Sequence, residues 1–152
     1  EKAIAAWRKA VAINPKFSQA LFSLAHALRS TNQAESEQVM ARYMAVQKEQ
    51  RILDHADTLA NNGIQAASAH DWPEAVHQLK EAITACGECA EKADLYRKLG
   101  IIDCQAGDLE NGEKALLAAK ALKPDDPVTQ AALELVAQAR SQPSASVHRN
   151  AR

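Results

Sequence analysis

Between Ala93 and Pro124 the apolar residues recur at helical intervals on both sides of a Gly107-Asp108 pair: Leu95, Leu99 and Ile102 before it, Leu109, Leu116, Ala119 and Leu122 after it. This spacing predicts two amphipathic helices joined by a tight turn. The same arrangement occurs upstream. Leu59, Gly63, His70-Asp71-Trp72, Ala75, Leu79 and Ala82 precede Tyr96, Gly100, Gly107-Asp108-Leu109, Gly112, Leu116 and Ala119 by the same 37 residues at each matched pair, as from Gly63 to Gly100 or Trp72 to Leu109. A helix pair repeated at such a period cannot bury its apolar face alone, so successive copies must stack.

The order Tyr96, Leu99-Gly100, Gly107-Asp108, Leu116, Ala119 and Pro124 resembles the tetratricopeptide repeat, a unit of about 34 residues. Two departures are Asp103, where the family usually has Tyr, and Gly112, where it usually has Ala; both predict a looser unit. The resemblance implies an all-α fold, a right-handed α-α superhelix of antiparallel helix pairs. Its expected divisions within a solenoid over 1–140 are a half repeat at 1–17, repeats at 18–55, 56–92 and 93–125, and a capping helix at 126–140, followed by a basic tail at 141–152.

Composition fits such a stack. Of 152 residues 47% are hydrophobic but only 4% aromatic, and small side chains let helices pack closely. The net charge of -1 argues against a nucleic-acid partner, which calls for a basic face. No apolar run reaches the length of a membrane span, so no membrane insertion is expected. The chain carries no signal peptide and opens inside an apparent helix, which suggests that the gene product starts upstream.

Taken in order, Glu1 to Phe17 matches only the second helix of a repeat, with Ala3, Trp7, Ala10 and Pro15 spaced like Gly112, Leu116, Ala119 and Pro124. Ser18 is the expected N-cap of the next helix. From Ala34 to Asn61 there is neither Gly nor Pro, and Val39, Tyr43, Val46, Leu53, Ala56 and Ala60 advance by helical steps. One long helix is expected there, dividing the solenoid into two packing blocks; a kink near Asp54 and His55 is the alternative. Asp126-Pro127 opens a terminal helix. The segment from Ser141, ending in Arg149 and Arg152, lacks periodicity and is expected to dock on something.

Cys86-Gly87-Glu88-Cys89 is the sharpest chemical motif. Ala90 stands where a haem attachment site needs His, and no second cysteine or histidine pair completes a zinc site. A local disulfide across the turn and a pair of unreacted structural thiols remain open; Cys104 is expected to stand alone. A disulfide implies an oxidising compartment, so a bacterial-type exported protein, periplasmic or extracellular, is expected. His26, His55, His70, His77 and His148 share no helical face, and no nucleophile triad, phosphate loop or carboxylate pair stands out. The expectation is therefore no enzyme, no metal and no cofactor. Trp7 and Trp72 read as packing residues.

The resemblance also implies a concave groove lined by the first helix of each unit, here Gln19, Phe22, His26 and Arg29, then Asp57, Ala60, Ile64 and Ala67, then Asp94, Arg97, Ile101 and Cys104. Such a surface, partly apolar with Arg29 and Arg97 as polar anchors, suits a partner helix or a broad protein face. A non-catalytic interaction or assembly scaffold is the expected function; an exported thiol-redox accessory protein using Cys86 and Cys89 is the alternative. The two ends are expected to expose apolar stripes, Ile4, Trp7 and Val11 at one and Val128, Ala132, Leu135 and Val136 at the other. Copies of the chain would then stack head to tail into a filament or sheath; the alternative is that Glu1 is where a longer solenoid is cut and that Pro127 to Arg140 is an ordinary terminal cap.

Overall fold

The computed structural model describes residues 2–142. Among them lie seven helices and no strand: α1 Lys2–Ile13, α2 Ser18–Leu28, α3 Gln33–Ser68, α4 Trp72–Cys86, α5 Lys92–Gln105, α6 Leu109–Leu122 and α7 Pro127–Ser141. The fold is all-α. No helix among the described residues is long and apolar enough to cross a membrane. Nearly all of the tail expected to dock, with Arg149 and Arg152, lies outside the described residues.

The chain divides into two compact units, one ending at Ile52 and the other beginning at Leu53. The boundary falls inside α3, which runs without interruption because nothing from Ala34 to Asn61 removes a backbone donor or adds backbone freedom.

In the first unit, Leu21, Leu24 and Leu28 of α2 pack with Val11 of α1 and Val39 of α3, and Ile4, Trp7 and Tyr43 lie partly buried against them. Ser36 donates its hydroxyl to the Ala25 carbonyl at 2.7 Å, tying α3 to α2 inside that core. Asn32 accepts from the Glu35 amide and caps α3. Ser18 does not cap α2. It is the first helical residue, Phe17 stands at the cap without a side-chain bond, and Asn14 has instead tightened the preceding turn by accepting from the Lys16 amide.

The second unit holds a pair of hairpins with matching turns. His70 and Gly107 both adopt positive φ, at 59° and 91°. The amides of Asp71 and Asp108 reach back to the carbonyls of Ala66 and Asp103, the closure that ends a helix on a left-handed residue. Each aspartate then caps the following helix, Asp71 through the Glu74 amide and Asp108 through that of Asn111. Equivalent local chemistry, 37 residues apart, thus produces equivalent backbone.

Close helix crossings follow from the glycines. A Cβ at Gly100 would lie 2.7 Å from the Gly112 carbonyl oxygen, and one at Gly63 would lie 3.0 Å from that of Ala75. Hydrogen in place of a side chain lets the two backbones of each antiparallel hairpin meet. The expectation that Gly112 loosens the last hairpin is corrected: Cys104 Sγ fills the hollow, 2.2 Å from where a Cβ would stand. Around these crossings Leu79, Ala82, Leu95, Leu99 and Ile102 form the core with Ala56, Ala60 and Cys86.

Candidate interaction groove

Within the second unit, the end of α3, the start of α4 and the C-terminal half of α5 enclose an open groove of about 600 Å3. Its floor is apolar: Ile64 and Ala67 from α3, Trp72 from α4, Ile101 and Ile102 from α5. Helical spacing puts Ile64 and Ala67 on one face and Lys98, Ile101 and Gln105 on another, so each helix contributes a continuous strip. The hairpin turn supplies one lip. His70, held at a left-handed φ, sets its ring edgewise to Trp72 at 5.4 Å between centroids. Ser68 adds a hydroxyl that already donates to the Ile64 carbonyl. The other lip carries Lys98, whose ammonium lies 2.8 Å from Asp94.

Of the positions expected to line a groove in this unit, Ile64, Ala67 and Ile101 do so. Ala60 does not: its relative exposure is 0%, because that face of α3 turns into the core against α4. Asp57 is exposed but lies outside the lining. Arg97 is not a free anchor either. Its guanidinium pairs with Asp94 and approaches Asp126 at 3.9 Å, so it fastens α5 to the N-cap of α7 beside a cavity of about 120 Å3. Asp126 itself accepts from the Thr129 hydroxyl and amide, which holds its carboxyl below the usual range. Cys104 turns toward α6, and burial pushes its thiol up.

The first unit holds the remaining expected residues. Gln19 is exposed; Phe22 tilts against His26 at 4.4 Å and Tyr43 at 5.4 Å, while His26 and Arg29 line a groove with Met40 and Met44.

The apolar stripes expected at the two ends are exposed only in part. Val11 is only 6% exposed and Val136 only 4%, and Ile4 and Trp7 are partly buried, since these residues face their own neighbouring helices. Leu135 at 65% and Val128 at 46% are exposed.

Cys86 and Cys89 are disulfide-bonded across the turn between α4 and α5, with Cα atoms 5.1 Å apart. Gly87, at φ 59°, permits the reversal, and the Cys89 amide donates to the Cys86 carbonyl. Cys86 is buried in the core and Cys89 half-buried.

Sequence reasoning did not assign Trp72, Lys98, His70 or Ile102 to the groove. Trp72 was legible as a packing residue, but only the antiparallel register of α4 and α5 shows that it packs from the groove side. No protein-family model matches the chain, and neither does any curated protein.

Proposed function

We propose that this chain is a non-catalytic protein-interaction module of the tetratricopeptide type, a helical solenoid that receives the apolar face of a partner helix. The observation that carries the reading is the strip of Ile64, Ala67, Trp72, Ile101 and Ile102 opened between two hairpins of matching turn geometry. A helix docks on such a strip with residues spaced i, i+3, i+4 and i+7. The core position of Ala60 and the ion pairs of Arg97 narrow the anchor set to these side chains.

The disulfide supports a protein that folds in an oxidising compartment, periplasmic or extracellular. It serves here as a staple and not as an exchanging dithiol. Cys86 ends a helix, where the dipole disfavours a thiolate, and sits in an apolar core that disfavours it further. Head-to-tail stacking would rest chiefly on Val128 and Leu135, since Val11 is buried and Ile4 and Trp7 are partly so.

Selection of displayed amphipathic helices against the full chain tests the reading. Binders should lose about 2 kcal/mol or more against Ile101→Asp, a central anchor made charged, and keep their affinity for Leu135→Asp on the outer face of α7. Equal affinity for the parent and for Ile101→Asp would exclude this groove as the interaction surface.

A further inference from the structure

The chain contains two methionines, and both line one groove of the first unit. Met40 and Met44 stand four residues apart on α3 and therefore share a face. His26 of α2 lines the same groove, which measures about 620 Å3. Its ring is held by the tilted contact with Phe22, which leans in turn on Tyr43. Met44 is 61% exposed and Met40 is half-buried. Three further polar side chains of the groove are engaged: the Ser36 hydroxyl donates to the Ala25 carbonyl, and the Gln33 amide donates to Glu37 at 3.0 Å.

We propose that His26, Met40 and Met44 form a binding site for a soft monovalent cation, Cu(I). Two thioethers and one imidazole make a three-donor set of soft and borderline character. Thioether sulfur is neutral, takes no proton in competition with the metal and has little affinity for hard cations such as Mg2+ or Ca2+. Imidazole nitrogen suits copper and completes the set. Glu37 and Arg29 line the same groove with opposite charges, so the site carries no net charge of its own, which suits a monovalent ion better than a divalent one. Both methionine side chains are long and unbranched, so their thioethers adapt to an ion more readily than a branched side chain does. Binding involves no electron transfer.

The test uses the full chain with Cys104→Ala, which removes the free thiol and leaves the disulfide, labelled with 13C at the methionine ε-methyl groups. Such a sample gives two methyl signals. Ag(I) serves as a redox-inert probe, followed by anaerobic Cu(I) in competition with a chromophoric Cu(I) chelator. Both methyl signals should move together and saturate at one metal per chain. His26→Ala and Met44→Leu should each weaken Cu(I) retention by about tenfold or more. If either methyl signal stays still, or if both variants retain Cu(I) like the parent, the site does not exist. Both substitutions fall at exposed positions, and far-UV dichroism matching the parent separates loss of the site from loss of the fold. Met40→Leu, which keeps the volume, supplies the same comparison should either variant unfold.

Discussion

Asp103 occupies the interior position of α5 at 5% exposure, and its backbone carbonyl closes the turn to α6 by accepting from the Asp108 amide. Burial pushes its carboxyl above the usual range; Lys80 opposes the shift and Asp108 adds to it. A raised folded-state value means that the neutral form is the one the fold accommodates. Its contribution is fully present below the unfolded-state value, about 3.9, and is lost as pH rises through the folded one. Asp103→Asn keeps the shape and never charges, so it should stabilise the protein at pH 7 by on the order of 1 kcal/mol. It should change little at pH 3. Melting temperatures of parent and variant at those two pH values decide the matter; a gain confined to pH 3 would contradict it. The sequence marked Asp103 and Gly112 as departures from the repeat pattern but misjudged the effect of Gly112. A cysteine one residue after Asp103 reaches across to fill the space over Gly112, and such compensation between helices has no signature in spacing alone.

At the scale of single elements, helices and turns were legible because their signals are local. Asp71, Asp108 and Asp126 cap the helices that follow them, and Pro127 starts α7 where its missing N–H costs nothing. The continuity of α3 followed from the same logic, whereas Ser18 misled because a hydroxyl at a helix start caps only when its backbone lies outside the helix. The Gly100 crossing yields a sharp expectation. A methyl group there would press on the Gly112 carbonyl and on Leu116 Cγ, both 2.7 Å away, and backbone cannot give as a flexible side chain does. Gly100→Ala should therefore destabilise by about 1 to 3 kcal/mol, despite the higher helix propensity of Ala. Denaturant titration measures it, and a variant as stable as the parent would show the crossing to be looser than described. The staple at Cys86 and Cys89 closes a short loop, so the chain-entropy estimate for its removal is about 2 kcal/mol. Reduction should lower the melting temperature by that equivalent, and Cys89→Ser should lower it equally without reductant. If reductant lowered the melting temperature of Cys89→Ser as well, its effect on the parent would not come from the staple.

At the scale of the whole molecule, the groove was only half legible. Family-like spacing named Ile64, Ala67 and Ile101, but which neighbours join them depends on the register between hairpins, and ion pairing decided against Arg97. The division of the chain raises the last expectation. Leu21 is fully buried in the core of the first unit and Leu79 in that of the second, and the two cores are made of different residues. Each unit therefore has its own apolar burial to lose, while α3 runs through both. Helical cooperativity passes along such a helix only weakly, since propagation contributes little per residue compared with core packing. Calorimetry should accordingly resolve two transitions. Leu21→Ala should lower one of them and Leu79→Ala the other, each through a loss of about 2 to 5 kcal/mol in the unit that carries the cavity. Hydrogen exchange gives the same reading by position, with Leu79→Ala releasing the amides of α4 to α6 while those of α2 keep their protection. A single transition moved equally by both substitutions would mean that α3 couples the two cores into one cooperative fold.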